Sequence, residues 1–294
     1  MPVRTEPAMG TLVTIRVLPS GGESDAAIDR AFSWFHEIER RCTRFSEASE
    51  LMQLAAQPGM PVAASPILFE AVRFALLVAE ESGGAFDPTL GHRMQARGFD
   101  RHHRTGETLR TAADDAATYR DVQLDAVHRT ITLLRPLTLD LGAVAKGLAI
   151  DTAARELAPF GDFAIDAGGD LYLGGCNDRG APWSIGIRHP RREGELIARL
   201  TVSNQAVCTS GDYERVIDGG EHHILDPQTG ASPRHAASAT VVASGAMLAD
   251  ALATAAFVLG PAEGIDLLTR MGVEGLIVTK ELDQHQTQGL CRVA

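Results

Sequence analysis

Strand-like and helix-like segments follow one another irregularly along this chain, and that order limits the folds open to it. Runs rich in β-branched residues predict strands over residues 12–18, 163–165, 183–188, 197–202 and 239–243. Helical periodicity marks residues 28–38, 68–79, 145–157 and 246–259. Because the two kinds of segment do not alternate regularly, a doubly wound parallel sheet is not expected. The pattern predicts an α+β fold with mixed or antiparallel sheets packed against helices.

Two of the predicted helices carry start signals. Ser24 is placed to cap the first, whose apolar residues recur at helical spacing from Ile28 to Ile38. The pair Ser65-Pro66 begins the second, because proline is favoured at the first helical position, and Gly83-Gly84 ends it. We interpret both apolar stripes as core rather than as binding surface.

Length, charge and cysteine content narrow the class of protein. With 294 residues, 45% of them hydrophobic, the chain can bury a substantial core. We expect a single domain over residues 1–294, although two intertwined halves remain an option. Acidic residues outnumber basic ones by 38 to 27, so a net charge of −11 argues against nucleic-acid binding. Four scattered cysteines show no zinc-type spacing and are interpreted as buried thiols.

Targeting signals are not evident in the sequence. The N-terminus lacks the apolar core of a secretory signal, and no stretch reaches the ~18 apolar residues of a membrane span. As written, the sequence predicts a cytoplasmic protein without a transmembrane segment. If an export segment has been removed, a periplasmic, membrane-anchored protein is expected instead.

The polar stretch from Gly98 to Arg135 predicts surface loops and a hairpin. It contains the pair His102-His103, which could bind a metal. No second ligand stands at helical or hairpin spacing, so a solvated loop is the better interpretation. We expect no functional site in this stretch.

The sharpest chemical signal is a carboxylate and a hydroxyl four residues apart in a helical stretch. Asp250 and Thr254 lie on one helix face, among alanine, leucine, valine and phenylalanine. Such a pair is also common on solvated helix faces, but an unpaired Asp250 would be costly to bury here. Mg²⁺ takes one or two carboxylates and leaves its other positions to water and phosphates. The pair therefore predicts a sparse magnesium site.

A second signal is a glycine that leads from a strand end into a helix at residues 139–151. Gly142 permits close backbone approach, and Lys146 stands one turn into the helix, where its ammonium can reach a phosphate. The run is not a Walker sequence, and no G-x-G-x-x-G follows a strand. The sequence therefore favours a phosphate site only through this context.

Two further runs combine turn signals with chemically useful side chains. After Gly83-Gly84, Phe86 could stack on a ring and Asp87 could accept from a ring N–H, although a helix stop followed by an Asp-Pro turn is the better interpretation of the run by itself. Residues 209–215 and 221–230 are interpreted as strand ends entering turns. His223, within the latter and next to apolar Ile224 and Leu225, is by itself better interpreted as a hydrogen-bonded core histidine than as a functional one.

In their order along the chain, these runs resemble the FAD:protein FMN transferases, the ApbE-type flavin transferase family. The resemblance extends from Met9 to about Gly260. It rests on eight segments: Met9-Gly10-Thr11, Ser49-Glu50-Leu51, Ser82 to Pro88, Asp140 to Asp151, Gly168-Gly169-Asp170, Thr209 to Tyr213, His223 to Pro227 with Gly230, and Asp250 to Thr254.

The resemblance implies an enzyme that moves FMN from FAD to a Thr or Ser hydroxyl of an acceptor flavoprotein and releases AMP. It assigns FAD contacts to Met9, Phe45, Ala85, Phe86, Asp87, Asp140, Lys146 and Ile224. It assigns Mg²⁺ to the carbonyl of Ala143 and to Asp250 and Thr254. Two residues depart from the family pattern: Phe45 stands where many members have Tyr, and Asp166 where Asn is usual.

The acceptor hydroxyl needs a base, and His223 is the candidate, with Asp226 or Asp212 to orient it. Two alternatives stay open. A Mg²⁺-dependent FAD pyrophosphatase would use the same site with water as the acceptor, giving FMN and AMP. A noncatalytic FAD-binding protein would need no metal, and the Asp250/Thr254 pair counts against it.

Overall fold

The fold centres on an eight-stranded antiparallel sheet. The computed structural model describes residues 3–18, 22–99, 106, 113–214 and 221–292. The strands are β1 (Val3–Ala8), β2 (Thr11–Leu18), β3 (Val62–Ala63), β4 (Val122–Asp125), β5 (Thr130–Leu133), β6 (Asp162–Ala167), β7 (Asp170–Gly174), β8 (Trp183–Arg188), β9 (Leu196–Val202), β10 (Gln205–Gly211), β11 (Ala236–Ala243), β12 (Glu274–Thr279) and β13 (Gln284–Gln286). The large sheet has the order β1-β2-β6-β7-β10-β11-β12-β13, and β3-β5-β4 and β8-β9 form two smaller sheets.

The helices are α1 (Gly22–Cys42), α2 (Glu50–Ala55), α3 (Pro66–Glu81), α4 (Gly91–Ala96), α5 (Gly142–Leu157), α6 (Ala246–Leu259) and α7 (Pro261–Arg270). Helices α1, α5, α6 and α7 pack on one face of the large sheet, where Ala239 and Val241 of β11 join the helical core. The β8–β9 ribbon covers the other face, where Val242 of the same strand packs. Because alternate residues of a strand point to opposite faces, β11 has no exposed residue along its length.

Helices α5 and α6 touch almost backbone to backbone. A Cβ atom at Gly147 would lie 2.4 Å from Cα of Met247, so only glycine fits there. Beside this contact, the Asp151 carboxylate of α5 accepts hydrogen bonds from the first two N–H groups of α6, at Ala246 (2.6 Å) and Met247 (3.0 Å). The start of α6 is thus held by the neighbouring helix.

Two tight hairpins lie side by side at one end of the large sheet. Each has a two-residue turn with both central φ angles positive, which is the type I′ geometry. These angles are 53° and 76° at Met9-Gly10, and 67° and 96° at Gly168-Gly169. Since Val13 of β2 pairs with Ala167 of β6, the two turns are adjacent, and the Thr11 side chain fills the space that a Cβ at residue 168 would need.

The edges of the large sheet are polar. Strand β13 consists of Gln284, His285 and Gln286, all exposed. At the opposite edge, β1 contains Pro7, which has no N–H, and an ion pair of 2.7 Å between Arg4 and Glu6. Neither edge is joined to the other, so the sheet stays open.

The α+β prediction is confirmed, and so is the Ser65 cap, whose hydroxyl accepts the N–H of Leu68 at 3.2 Å. The Ser24 cap is wrong, because α1 begins at Gly22 and Ser24 is buried inside its first turn. Glu23 and Asp25, on either side of Ser24, interact favourably with the positive end of the helix dipole and so favour the earlier start.

Other local predictions have mixed outcomes. The hairpin expected within residues 98–135 is present as β4–β5, while His102-His103 lies outside the described residues. Residues 221–230 form a loop rather than a strand end, because the Asp226 carboxylate accepts from Gln228 N–H (2.8 Å) and Thr229 Oγ1 (3.0 Å) and builds a turn. Two of the cysteines are buried as expected, whereas Cys176 is half-buried and Cys291 exposed. Within the described ranges, no helix is both long and apolar enough to span a bilayer.

Candidate functional site

A cavity of about 1210 Å³ receives every residue that the resemblance assigns to FAD or Mg²⁺ and the candidate base His223, whereas Asp212 and Asp226 do not line it. The residues that line it are Met9, Phe45, Ala85, Phe86, Asp87, Asp140, Ala143, Lys146, His223, Ile224, Asp250 and Thr254. They belong to hairpin turns, helices and loops that are far apart in the sequence. The fold thus collects the dispersed runs on one surface, and the role of each residue remains a prediction.

The most highly charged part of the wall is an ionic group between α5, α6 and β7, here called the acid cluster: Lys146, Asp170 and Asp250. The Lys146 ammonium contacts the Asp170 carboxylate and lies 3.2 Å from Oδ2 of Asp250. Asp170 is 4% exposed and Asp250 is 7% exposed. Two buried carboxylates against one ammonium leave an excess of negative charge where water screens it poorly.

Thr254 stands one helical turn beyond Asp250 on α6, and its hydroxyl is 3.2 Å from Oγ of Ser210 on β10. The spacing therefore places this carboxylate and this hydroxyl on the cavity wall, and not on a solvated helix face. Ala143 lies in the first turn of α5, on the same wall. Burial raises the pKa of the neighbouring Cys208 thiol well above its ordinary value, and the charge of Asp250 raises it further.

A second ionic contact, here called the Arg44 pair, joins Arg44 to Asp140. The guanidinium, 5% exposed, donates from Nε to Oδ2 of Asp140 (2.7 Å) and from Nη2 to the carbonyl of Phe99 (2.7 Å), and it stacks 4.2 Å from the centre of the Phe45 ring. The other carboxylate oxygen of Asp140 accepts the N–H of Gly142 (2.8 Å) at the start of α5. Phe99 lines the cavity, so the start of the stretch in which no site was expected lies beside the candidate site, and its role stays untested.

Asp87 is held in the turn that follows α3. One carboxylate oxygen accepts from the N–H (2.8 Å) and hydroxyl (2.6 Å) of Thr89, and the other from the N–H of Tyr119 (3.2 Å). The Asp-Pro turn interpretation is therefore confirmed, although Asp87 also lines the cavity. Next to it, Ala85 and Phe86 are buried, and the N–H of Phe86 donates to Oγ of Ser82 (3.1 Å).

Met9 adopts a left-handed backbone conformation, which costs a residue with a side chain about 1–2 kcal/mol. Its φ is 53°, in a turn that lines the cavity. Strain of this kind clusters at functional sites, so Met9 is a candidate for ligand contact. In the adjacent turn, Asp166 accepts the N–H of Gly169 at 2.8 Å. An asparagine oxygen accepts the same bond, so this departure from the family pattern preserves the turn.

His223 is positioned by a loop that is fastened to α4. Its Nδ1 lies 3.2 Å from the carbonyl oxygen of Glu214, and its ring meets Phe99 edge-on at 6.5 Å. Arg93 donates to the carbonyl of Pro227 (2.9 Å), and Arg97 pairs with Glu221 (2.6 Å). These bonds fix both ends of the loop.

The two carboxylates suggested as partners of His223 have other contacts. Asp212 forms a two-point ion pair with Arg191, with both distances at 2.7 Å. Asp226 holds its own turn, as described above. The hydrogen bond that the structure gives for Nδ1 of His223 is instead to the backbone carbonyl of Glu214. A carbonyl acceptor orients the imidazole as a carboxylate would, without its charge.

Comparison with known proteins places the chain in a family. The sequence profile described as the ApbE family matches residues 9–277. The chain belongs to the ApbE family. A relative from Treponema pallidum, named FAD:protein FMN transferase, is 35% identical over 315 residues, which cover 98% of this chain and 87% of the relative. The resemblance stated from the sequence is confirmed.

Solved structures of ApbE proteins share the fold. The ApbE protein from Thermotoga maritima superposes with a TM-score of 0.85 at 29% identity, covering 98% of this chain and 97% of that one. The flavinyl transferase ApbE from Pseudomonas stutzeri gives 0.81 at 26% identity, with 98% and 95% covered.

Sequence reasoning missed two charged residues of this ApbE site, Asp170 and Arg44, and a third, Asp151, that lies outside the cavity and bonds the start of α6. Asp170 directly follows the Gly168-Gly169 turn, and a carboxylate next to a glycine turn could have been recognised as a candidate site residue. Asp151 stands at the end of the glycine-to-helix run and was also visible. Arg44 gave no signal, because nothing local distinguishes a buried arginine from an exposed one.

Proposed function

We propose that this ApbE-family chain is a Mg²⁺-dependent FAD:protein FMN transferase that attaches FMN to a Ser or Thr hydroxyl of an acceptor flavoprotein and releases AMP. The observation that carries the proposal is the cavity itself, whose wall combines the acid cluster, the start of α5 and the Phe86 turn. The name of the Treponema pallidum relative supports it.

Asp250, Thr254 and the Ala143 carbonyl would hold the metal. The acid cluster fits a hard cation, because its buried oxygen donors carry more negative charge than Lys146 neutralises. Among the described residues, no three His, Cys, Asp or Glu side chains gather as a metal-binding group. In the proposal, substrate phosphates and water fill the other coordination positions. When bound, Mg²⁺ would supply positive charge beside the pyrophosphate.

The N-terminus of α5 is the second feature suited to the pyrophosphate. The first turn of this 16-residue helix lines the cavity, so the positive end of its dipole lies beside the ligand space, and Lys146 adds an ammonium. Phe86 and the Met9 turn then form the wall for the isoalloxazine or adenine ring.

The reaction is a displacement at phosphorus. The acceptor oxygen forms a bond to the phosphorus on the FMN side, the bond from that phosphorus to the bridging oxygen breaks, and AMP leaves with that oxygen. His223 takes the hydroxyl proton. With Nδ1–H donating to the Glu214 carbonyl, the lone pair lies on Nε2, the nitrogen that can act as base.

The test is incubation of the protein with FAD, Mg²⁺ and a purified acceptor flavoprotein, followed by intact mass of the acceptor and an assay for AMP. We expect the mass of FMN on the acceptor and an equal amount of AMP. A matched reaction with a chelator should show neither. AMP without added mass identifies a FAD pyrophosphatase, and neither product identifies a FAD-binding protein.

A further inference from the structure

We propose that Asp151 is a positioning residue that sets the place of the metal ligands by clamping the start of α6 onto α5. The inference rests on the proposed function, because it takes Asp250 and Thr254 as the residues that hold Mg²⁺. Asp151 itself does not line the cavity. It therefore acts through α6 rather than on the substrate.

The clamp replaces a cap that α6 lacks. The N-cap residue of α6 is Gly245, which has no side chain to bond the first turn. Asp151 supplies both bonds from the neighbouring helix, one carboxylate oxygen to Ala246 and one to Met247. A carboxylate at a helix N-terminus also interacts favourably with the helix dipole.

The helices are built to approach closely at this point. A Cβ at Gly147 would lie 2.4 Å from Met247, and a Cβ at Gly245 would lie 3.0 Å from the Asp151 carboxylate. The absence of side chains at both positions lets the carboxylate reach the backbone of α6. The clamp thus fixes both the rotation and the axial position of α6 at its first turn.

The clamp is not alone in joining α5 to α6 by a polar contact. Another is the contact of 3.2 Å between Lys146 and Asp250. Lys146 precedes Asp151 on α5, whereas Asp250 follows Met247 on α6, so the helices run past each other in opposite directions. The two points are separated by about 7.5 Å along α5 and about 4.5 Å along α6. A slide of α6 at the clamp would therefore displace Asp250 relative to Lys146.

Two variants separate clamping from ordinary capping. Asp151→Ala removes both bonds. Adding Gly245→Ser to Asp151→Ala gives α6 a cap of its own, because Gly245 already has the extended N-cap conformation (φ −145°, ψ 150°). The carboxylate that would crowd this serine is absent in the double variant. The double variant thus restores the cap without restoring the link to α5.

The readouts are the melting temperature and the affinity for Mg²⁺, measured by titration calorimetry on protein saturated with FAD and without acceptor. We expect Asp151→Ala to lower the melting temperature and to weaken Mg²⁺ binding about 10–100-fold, as for other residues that support metal ligands. The double variant should regain melting temperature while its Mg²⁺ affinity stays weak. Ser65→Ala, which removes the α3 cap, should lower the melting temperature alone.

Recovery of Mg²⁺ affinity in the double variant to within twofold of wild type would overturn the inference, and so would wild-type affinity in Asp151→Ala. Asp151 would then be only a cap. If the single variant does not fold, the double variant decides alone. If the wild-type protein with FAD binds no Mg²⁺, the metal assignment of the proposed function fails, and this inference fails with it.

Discussion

The acid cluster and the Arg44 pair are both ionic contacts on the cavity wall near the start of α5, and each contains a buried charged group, yet their charge balance differs. Arg44 faces one carboxylate, one carbonyl and one ring, so its charge is matched within the protein. Lys146 faces two carboxylates, so negative charge is left over. Breaking a matched buried pair costs stability, whereas an unmatched set is prepared for a further cation. We therefore expect the Arg44 pair chiefly to stabilise the fold and the acid cluster to bind a cation.

The largest effect is expected at the acid cluster. Asp250→Asn leaves Lys146 and Asp170 as a one-to-one pair, so the melting temperature should hold or rise. Transfer should fall about 10³-fold, because metal charge stabilisation worth several kcal/mol is lost. AMP release at saturating FAD and thermal melting together test this. Transfer within tenfold of wild type would show that Asp250 is not a metal ligand.

His223 lines the cavity but belongs to neither ionic contact, so a substitution there tests the proposed general base separately from both contacts. His223→Ala should lower the transfer rate about 10²–10⁴-fold, the usual contribution of a general base. FAD affinity should change little, because the base acts mainly in the transition state. Rate and FAD affinity are measured separately on the same protein. An equal loss in both would make His223 a binding residue.

The Arg44 pair should give the opposite pattern. Asp140→Asn leaves the guanidinium buried without its carboxylate and should reduce the free energy of unfolding by about 3 kcal/mol. The bond to the Phe99 carbonyl remains and limits the loss. Denaturant unfolding measures the stability, and calorimetry should show Mg²⁺ affinity near wild type. If Asp140→Asn left the stability unchanged and abolished Mg²⁺ binding, the Arg44 pair would serve binding and would not differ in role from the acid cluster.

The smallest effect is expected at an uncharged part of the wall. Met9→Gly relieves the left-handed backbone and should stabilise the fold by up to about 1 kcal/mol, while FAD affinity falls a few-fold. Gly168→Ala, in the adjacent turn, should destabilise it, because the new Cβ meets the Thr11 side chain. Melting curves with and without FAD measure both. Unchanged FAD affinity in Met9→Gly would remove Met9 from the ligand contacts.

Local geometry explains what the sequence could predict. Asp250 and Thr254 share a helix face because of their spacing alone, and Ser65 caps its helix with neighbouring atoms. The ionic partners of Lys146 and Arg44 were not predictable from the sequence. Asp170 reaches Lys146 only when the strands take the order β6-β7-β10. Asp140 reaches Arg44 only when the chain returns past α1. The single domain over residues 1–294 stays a prediction.

The polar edges of the large sheet have a consequence for how copies of the protein meet. An open edge offers unpaired N–H and C=O groups to any strand that comes near, and long apolar edges lead to aggregation. Here one edge strand is only Gln284–Gln286. The other edge strand, β1, lacks one N–H donor at Pro7 and carries the Arg4–Glu6 ion pair. We therefore expect concentrated solutions to resist sheet-to-sheet association, even though the middle of the same sheet, along β11, is entirely apolar or small.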